Sequence, residues 1–134
     1  MPDRAFIDSN LLIYLYSIDE FKQKRVEKLL ESLDEIFISR QVIHEFCNVL
    51  INKFKRPAED IRLALKDFYN NFEIVELNTE ITEKALSIFQ SYRFSFYDSI
   101  IISAALTSKC GVLYSEDLQH GIKIGNLTIT NPFL

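Results

Sequence analysis

The sequence predicts an α/β fold, with an open, mainly parallel sheet of five strands that is covered by helices on both faces. Short apolar runs alternate along the chain with longer amphipathic segments, and this alternation is typical of the crossover connections that join parallel strands. Three Gly and three Pro in 134 residues, with 48% hydrophobic and 25% charged residues, indicate a compact, helix-rich chain. A chain of this length holds one core, so we expect a single domain over residues 1–134.

The predicted strands are short apolar segments that stop at a polar or turn-forming residue. The first ends at Asp8, the second carries the run Ile36-Phe37-Ile38, and the last precedes Asn131-Pro132. In chain order we expect strands at 4–8, 35–39, 72–77, 112–114 and 127–130.

The predicted helices show apolar residues at steps of three and four, or begin at residues that cap helices. Pro57 suits the first turn of a helix, and residues 97–109 are so apolar and small that we expect a helix buried against the sheet. In chain order we expect helices at 9–16, 19–33, 41–54, 57–71, 79–92 and 97–109.

Charge, hydropathy and cysteine content exclude several classes of protein. The formal net charge of -4 argues against nucleic-acid binding through a broad basic surface, so a nucleic-acid role needs another source of positive charge. No apolar run approaches the roughly 20 residues that span a membrane, and we expect a cytosolic protein. Cys47 and Cys110 have no Cys or His partner at metal-ligand spacing and are interpreted as buried free thiols.

Two acids stand directly after predicted strands. Asp8 ends the first strand, and Asp117 follows the strand 112–114. Because ligands of open α/β sheets bind outside the carboxyl ends of the strands, both acids are placed at that rim. Each also has an ordinary structural explanation, Asp8 as the cap of the next helix and Asp117 as a turn residue.

Two further acids lie on apolar edges of predicted helices. Glu45 is surrounded by Val42, Phe46 and Val49, whereas a solvated Glu would occupy the opposite face. Asp98 is followed by Ile101, Ile102 and Ala105 at helical spacing, so its side chain is expected to lie along the apolar face. A buried ion pair with an Arg would explain Glu45, and a capping box that starts at Ser95 would explain Asp98.

Together the four acids Asp8, Glu45, Asp98 and Asp117 predict a divalent metal site. Repulsion between two carboxylates at ~4 Å is on the order of 4 kcal/mol at an effective dielectric constant near 20, and no Lys or Arg stands on the apolar edges beside Glu45 or Asp98. All-oxygen coordination favours magnesium or manganese. Such metals orient a phosphodiester and activate water for hydrolysis.

The sequence resembles PIN-domain ribonucleases, and most closely the VapC-like toxins of bacterial toxin–antitoxin modules. Four ordered segments carry the resemblance, together with an Asn-Pro-Phe close at 131–133: FIDSN at 6–10, VIHE at 42–45, YDSIIISAA at 97–105 and LYSEDL at 113–118.

The resemblance implies a three-layer α/β/α sandwich, RNA cleavage that depends on magnesium or manganese, and an antitoxin that covers the acidic site. It assigns the metal and catalytic roles to Asp8, Glu45, Asp98 and Asp117. Four residues beside these acids are expected to orient ligands or water: Ser9, Asn10, Ser115 and Glu116. Glu116 is also an alternative to Asp117 as a metal ligand.

Other residues are candidates for secondary roles. His44 and His120 lie near proposed ligands in sequence, although consecutive helix residues such as His44 and Glu45 point about 100° apart. A basic cluster could guide RNA backbone or be a solvated helix corner: Lys53, Lys55, Arg56 and Arg62. Three aromatic residues could contact an antitoxin or the second subunit of an expected homodimer, with core packing as the simpler interpretation: Tyr14, Tyr16 and Phe21.

Two other functions stay open on the sequence alone. An aspartyl-phosphate phosphotransfer domain also places acids at strand ends, but a phosphatase of that type would have a second Asp where Asn10 stands, and a receiver domain would have Asp and Lys where Asn78 and Glu116 stand. A non-catalytic acidic domain that docks a basic peptide is the other alternative, and RNA cleavage separates it from a nuclease.

Overall fold

The computed structural model describes residues 4–134 and confirms the α/β fold with a central, mostly parallel sheet. Residues 1–3 of the predicted domain lie outside the described residues. The strands are β1 Arg4–Ile7, β2 Glu35–Ser39, β3 Glu73–Val75, β4 Val112–Tyr114, β5 Lys123–Ile124 and β6 Leu127–Thr130. The helices are α1 Ser9–Tyr14, α2 Glu20–Ser32, α3 Arg40–Asn52, α4 Ala58–Asn71, α5 Thr79–Ser91 and α6 Phe96–Thr107.

The sheet has the order β3-β2-β1-β4-β6-β5, and every neighbouring pair is parallel except β5 with β6. The prediction of five strands was wrong by one, because β5 was missed. This strand has two residues and pairs antiparallel to β6 across the turn at Gly125, which has φ +59°. Two residues are too few to show a period of two in the sequence, so no pattern marked them.

The helices form two layers. Going along the chain, β2 and β3 are added on one side of β1, and β4 is then added on the other side of β1. Because crossover connections are right-handed, this change of direction places α1–α4 on one face of the sheet and α5–α6 on the other. The contacts agree, since α1 packs on α2 and α3, α3 packs on α4, and α5 packs on α6. The result is the predicted three-layer sandwich.

The core lies between the sheet and these layers, and α6 is its most buried helix. Ser99 and Ser103 are fully buried there, and their hydroxyls donate to the carbonyl oxygens of Ser95 at 2.9 Å and Ile81 at 2.7 Å. These bonds leave neither hydroxyl unpaired in the core. The predicted burial of this helix against the sheet is confirmed.

Three smaller predictions have mixed outcomes. Cys110 is a buried free thiol as expected, but Cys47 is free and only half-buried, because it lies at the edge of the α3 contact surface. The prediction that Phe21 packs in the core is wrong, because its side chain on α2 is 73% exposed. Tyr14 and Tyr16 are half-buried and pack against the core edge. Among the described residues, we find no helix that combines the length and the apolarity needed to span a membrane.

Candidate active site

The site begins where the strand order reverses, between the adjacent parallel strands β1 and β4. The Asp8 backbone N–H donates to the Tyr114 carbonyl oxygen at 3.0 Å, which extends the pairing to the last residues of both strands. Asp8 and Ser115 therefore leave the sheet side by side at its carboxyl edge. Such a reversal opens a crevice in doubly wound sheets, and ligands bind there.

Asp8 is the most buried acid of the site, with 7% of its surface exposed. One carboxylate oxygen accepts from the Ser9 backbone N–H at 2.7 Å, which caps α1, and the other accepts from the Ser115 hydroxyl at 2.8 Å. Burial raises the pKa of this carboxyl most, the two hydrogen bonds lower it, and the nearby charges of Glu45 and Asp98 raise it, with a net pKa of about 6. Among residues 4–134, Asp8 forms no salt bridge that would compensate its charge.

Glu45 is half-buried on α3 and is held by two side chains. Its carboxylate accepts from the Ser9 hydroxyl at 2.9 Å and from the Gln41 side-chain amide at 3.1 Å. The same amide donates to the Tyr97 carbonyl oxygen at 3.2 Å, which ties α3 to the first turn of α6. Gln41 therefore links the two helix layers beside the acids.

Asp98 lies in the first turn of α6, where the Ser95 hydroxyl caps the helix by accepting from the Asp98 backbone N–H at 3.1 Å. The predicted cap at Ser95 is thus present. The Asp98 side chain is half-buried and lines the same crevice as Asp8 and Glu45. Asp8 caps α1, and Asp98 stands in the first turn of α6. Both side chains also line the crevice, so a structural role and a role in the crevice are compatible for each acid.

Asp117 is exposed at the mouth of the crevice. Its carboxylate accepts from the Asn10 side-chain amide at 3.1 Å, while the Asn10 amide oxygen accepts from the Glu116 backbone N–H at 3.2 Å. Asn10 also donates weakly to the Asp8 carboxylate and to the Ser115 hydroxyl, both at 3.4 Å. This one residue connects the loop after β4 to the start of α1.

The four predicted acids line a single cleft, which we call the acid cleft, with a volume of about 340 Å³. The residues around it are Asp8, Ser9, Asn10, Ile13, Glu45, Asn48, Val49, Asp98, Ile101 and Asp117. Within residues 4–134, none of the four acids forms a salt bridge. The alternative explanation of Glu45, a buried ion pair with an Arg, is therefore not met in this part of the chain.

The chemistry of these donors fits magnesium or manganese, because carboxylate oxygens are the ligands that these hard cations prefer. In the part of the chain that the structure describes, no three His, Cys, Asp or Glu side chains converge closely enough to form a complete metal site by themselves. Mg²⁺ does not need such a cage, since it keeps several waters and commonly uses only one or two protein carboxylates.

Glu116 is directed away from the acid cleft, although it is the neighbour of Asp117. Its carboxylate forms an ion pair with Lys22 and accepts a hydrogen bond from the Tyr14 hydroxyl. Burial alone would raise the pKa of the Glu116 carboxyl, but the hydrogen bonds from Lys22 and Tyr14 together hold that pKa below its usual value. Glu116 has its cation, and it does not line the cleft.

The remaining candidates lie outside the acid cleft. His120 accepts from the Asn131 backbone N–H at 2.9 Å through its Nδ1, which is a structural contact. His44 is exposed on α3 and lines a neighbouring pocket. Lys53 and Arg56 line a groove next to the cleft, and Arg56 is 3.6 Å from Asp60.

The sequence of the chain matches the PIN domain family over residues 5–121. The chain belongs to the PIN domain family. No curated protein matches it at a significant level. This PIN domain is similar in fold to VapBC-1 from nontypeable Haemophilus influenzae, at 16% identity and TM-score 0.74, with 98% of this chain and 99% of that chain covered.

Two further solved structures share the fold. A toxin–antitoxin complex from Klebsiella pneumoniae is 20% identical, with TM-score 0.71 and coverage of 96% of this chain and 97% of that chain. Mycobacterium tuberculosis VapC20, described as a sarcin–ricin loop cleaving toxin, is 13% identical, with TM-score 0.68 and coverage of 81% and 86%. The resemblance of the sequence to this family is thereby confirmed.

Sequence reasoning missed Gln41, whose amide donates to Glu45, and Asn48, which lines the acid cleft. A signal for both was present, because they stand four residues before and three residues after Glu45 and therefore share its helix face. Neutral amides carry no charge anomaly, so they did not stand out among the apolar residues of this helix.

Proposed function

We propose that this PIN domain is a metal-dependent endoribonuclease that hydrolyses RNA phosphodiester bonds, and that it acts as the toxin of a toxin–antitoxin pair. One observation carries the proposal: four carboxylates from both helix layers and two strand ends line one cleft, with no salt bridge to any of them among residues 4–134. Carboxylates arranged in this way need an external cation.

Asp8, Glu45, Asp98 and Asp117 would hold Mg²⁺ or Mn²⁺. When bound, the metal supplies Lewis acidity and lowers the pKa of water for attack on phosphorus. The chain itself orients the carboxylates: Ser9 donates to both Asp8 and Glu45, one bond from its backbone N–H and one from its hydroxyl. Such partners fix the direction of a ligand and are needed for full metal affinity.

RNA as the substrate is supported by the fold and by the charge of the protein. VapC20, which shares the fold, is described as cleaving the sarcin–ricin loop. The protein has a net charge of -4, and an acidic protein repels the phosphates of a nucleic acid. A cleft that carries a bound metal ion would supply the positive charge that a phosphate needs.

The direct test incubates the purified protein with structured RNA in Mg²⁺ or Mn²⁺, beside Asp98→Asn and a chelator control. We expect internal cleavage by the wild type that chelator abolishes and that Asp98→Asn reduces by at least ~100-fold, more than the 10–100-fold typical of residues that only support a metal ligand. Equal cleavage by the variant, or cleavage in chelator, would contradict the proposal. An intact but RNA-inert protein that binds basic peptides would favour the acidic docking alternative.

The toxin role predicts a protein partner. Two of the solved structures with this fold are described as toxin–antitoxin complexes or VapBC assemblies, and Ile18 exposes a large apolar side chain in the groove that adjoins the cleft. Expression should arrest growth, and Asp8→Ala should relieve the arrest while protein levels stay equal. Unimpaired growth with the soluble wild-type protein present would contradict the toxin role.

We also propose a homodimer. Leu86 and Phe89 expose apolar side chains on one helix, α5, at positions three residues apart, and such a stripe favours contact with another protein surface. Light scattering of the purified chain should give about twice the 15.7 kDa monomer mass, and Phe89→Glu should give the monomer.

A further inference from the structure

A second pocket lies on the other side of Glu45 from Asp8, with a volume of about 410 Å³. One wall is the face of α3 that carries residues at i, i+3, i+4 and i+7, and the opposite wall comes from the start of α6 and the loop after β3. The lining residues are Gln41, His44, Glu45, Asn48, Leu77, Tyr97 and Ile100. Glu45 and Asn48 line both this pocket and the acid cleft, so the two are continuous.

The pocket presents an aromatic ring to solvent. Tyr97 is 67% exposed and Leu77 is 41% exposed, and both line the pocket rather than the core. A large aromatic side chain at this level of exposure gains little from folding, because most of its surface stays in water. A flat apolar surface beside a phosphodiester site matches the face of a nucleobase, which stacks on aromatic side chains.

Gln41 holds the wall of the pocket in place. It is 8% exposed, and its amide nitrogen donates to the Glu45 carboxylate and to the Tyr97 carbonyl oxygen, which fixes the orientation of the amide. The same two bonds join α3 to the first turn of α6, so the Tyr97 backbone is fixed relative to Glu45. A base that stacks on Tyr97 would therefore meet a surface held in position beside the acid cleft.

We propose that the pocket formed by Gln41, Leu77 and Tyr97 binds the nucleobase next to the scissile phosphate and gives the enzyme a base preference at that position. The inference rests on the proposed ribonuclease function. His44 and Asn48 at the rim add groups that can hydrogen-bond to a base edge.

A base is a better occupant than a protein segment for two reasons. The volume is that of a small-molecule site, and the pocket opens into the acid cleft through the shared wall at Glu45. A nucleotide whose phosphate lies in the cleft would therefore reach the pocket without leaving the surface. A partner protein or a second subunit that covers Tyr97 is the competing outcome of the test.

The test compares wild type with Tyr97→Ala, Tyr97→Phe and the control Phe21→Ala, which removes an aromatic ring that is similarly exposed on α2. A randomised single-stranded RNA pool is cleaved in Mn²⁺ and the cut sites are sequenced, with KM and kcat measured on the preferred sequence. We expect Tyr97→Ala to raise KM about 10-fold, which is within the range for loss of one stacked base, with kcat within about 2-fold and the base bias lost. Tyr97→Phe and Phe21→Ala should behave as wild type.

A second measurement keeps the inference testable if RNA is not cleaved. Adenosine, cytidine, guanosine and uridine monophosphates are titrated separately into the full chain, and amide chemical shifts are followed for α3 and for residues 95–100. We expect shifts there that differ in size among the four nucleotides, and their loss in Tyr97→Ala. If these shifts appear but RNA is not cleaved, the ribonuclease function is contradicted and the base pocket is not.

Three results would overturn the base pocket. The first is cleavage by Tyr97→Ala with unchanged KM and base bias. The second is a set of nucleotide titrations that leave α3 and residues 95–100 unshifted. The third is a change of oligomeric state in Tyr97→Ala with its base bias intact, which would assign this surface to a protein contact.

Discussion

Glu116 and Asp117 are neighbours in the chain, yet their carboxylates have opposite surroundings. Glu116 forms an ion pair with Lys22, whose ammonium also lies 4.8 Å from the centre of the Tyr14 ring. Asp117 accepts one hydrogen bond from the neutral Asn10 amide at the mouth of the acid cleft. Among residues 4–134 the first carboxylate has a salt bridge, and the second has none.

This contrast separates an acid that is paired within the described chain from acids that we propose to be metal ligands. The Lys22 pKa is raised, chiefly by its hydrogen bond to Glu116, so the ammonium stays charged over the whole physiological range. Asp8 shows the reverse, because burial raises its pKa and its partners in the described chain are hydroxyl, amide and backbone N–H groups. Among residues 4–134 the fold pairs Glu116 with a cation and pairs none of the four cleft acids with one, and this difference is the basis for proposing a cation from outside.

The largest expected effect is on cleavage when a cleft acid loses its charge. Glu45→Gln should lower the RNA cleavage rate by at least ~100-fold, because it removes a metal-binding oxygen while keeping the shape of the side chain. Glu116→Gln is the matched control and should stay within about 3-fold of wild type. Similar losses in both variants would erase the distinction between the two regions.

The next effect is a pH dependence of stability in the metal-free protein. Asp8 ionises near pH 6 in the folded state and near 3.8 in the unfolded chain, so between these values the folded state binds more protons. The free energy of unfolding should therefore fall as pH rises from about 4 to 6. The total fall, from well below pH 4 to well above pH 6, should be roughly 3 kcal/mol.

Urea unfolding in chelator at pH 4.5 and pH 7.5 measures this fall, and Asp8→Asn should be free of it. Excess Mn²⁺ at pH 7.5 should restore stability to the wild type, since a ligand of the folded state stabilises that state. Parallel pH profiles for wild type and Asp8→Asn would show that the Asp8 charge is compensated in the fold.

A smaller effect is expected for Ser115→Ala. The buried Ser115 hydroxyl donates to Asp8 at 2.8 Å and accepts from the Leu118 backbone N–H at 3.3 Å. Its loss should reduce Mn²⁺ affinity by about 10- to 100-fold. Ser103→Ala removes an equally buried hydroxyl, which donates to the Ile81 carbonyl oxygen and does not line the acid cleft, and should leave Mn²⁺ affinity unchanged. Calorimetric titration of both variants tests the difference.

The smallest effect is on stability when the structural acid is changed. Glu116→Gln should lower the free energy of unfolding by about 1 kcal/mol, because the Lys22 pair is partly exposed and its attraction is screened. Adding 0.5 M NaCl should shrink the difference between wild type and variant. A salt-independent loss of several kcal/mol would mean that Glu116 is a buried structural element rather than a screened ion pair.

Much of the fold follows from local sequence patterns. Asp8 is both a strand end and the cap of α1, Ser95 caps α6, and the apolar run in α6 marks its burial, so each boundary has a local cause that the sequence displays. Strand β5 has no local sequence pattern of this kind. Its two residues form a strand only because they pair with β6 across the turn at Gly125.

The site was less predictable than the fold. That the four acids would share one cleft required the β1–β4 adjacency and the meeting of α3 with α6, which are contacts between residues distant in sequence. The resemblance assigned the metal role to Asp117, with Glu116 as the alternative, but local sequence did not show why Glu116 leaves the cleft, because its partner Lys22 is 94 residues away in the chain. Long-range partners of this kind leave no mark in local sequence.

The most direct test of the central claim is Mn²⁺ binding followed by electron paramagnetic resonance on wild type, Asp98→Asn and Glu116→Gln. We predict that the wild type and Glu116→Gln remove Mn²⁺ from the free-ion signal with equal affinity, and that Asp98→Asn binds at least 10-fold more weakly. Equal binding by all three proteins, or no binding by the wild type, would contradict the claim that the acid cleft takes its cation from outside.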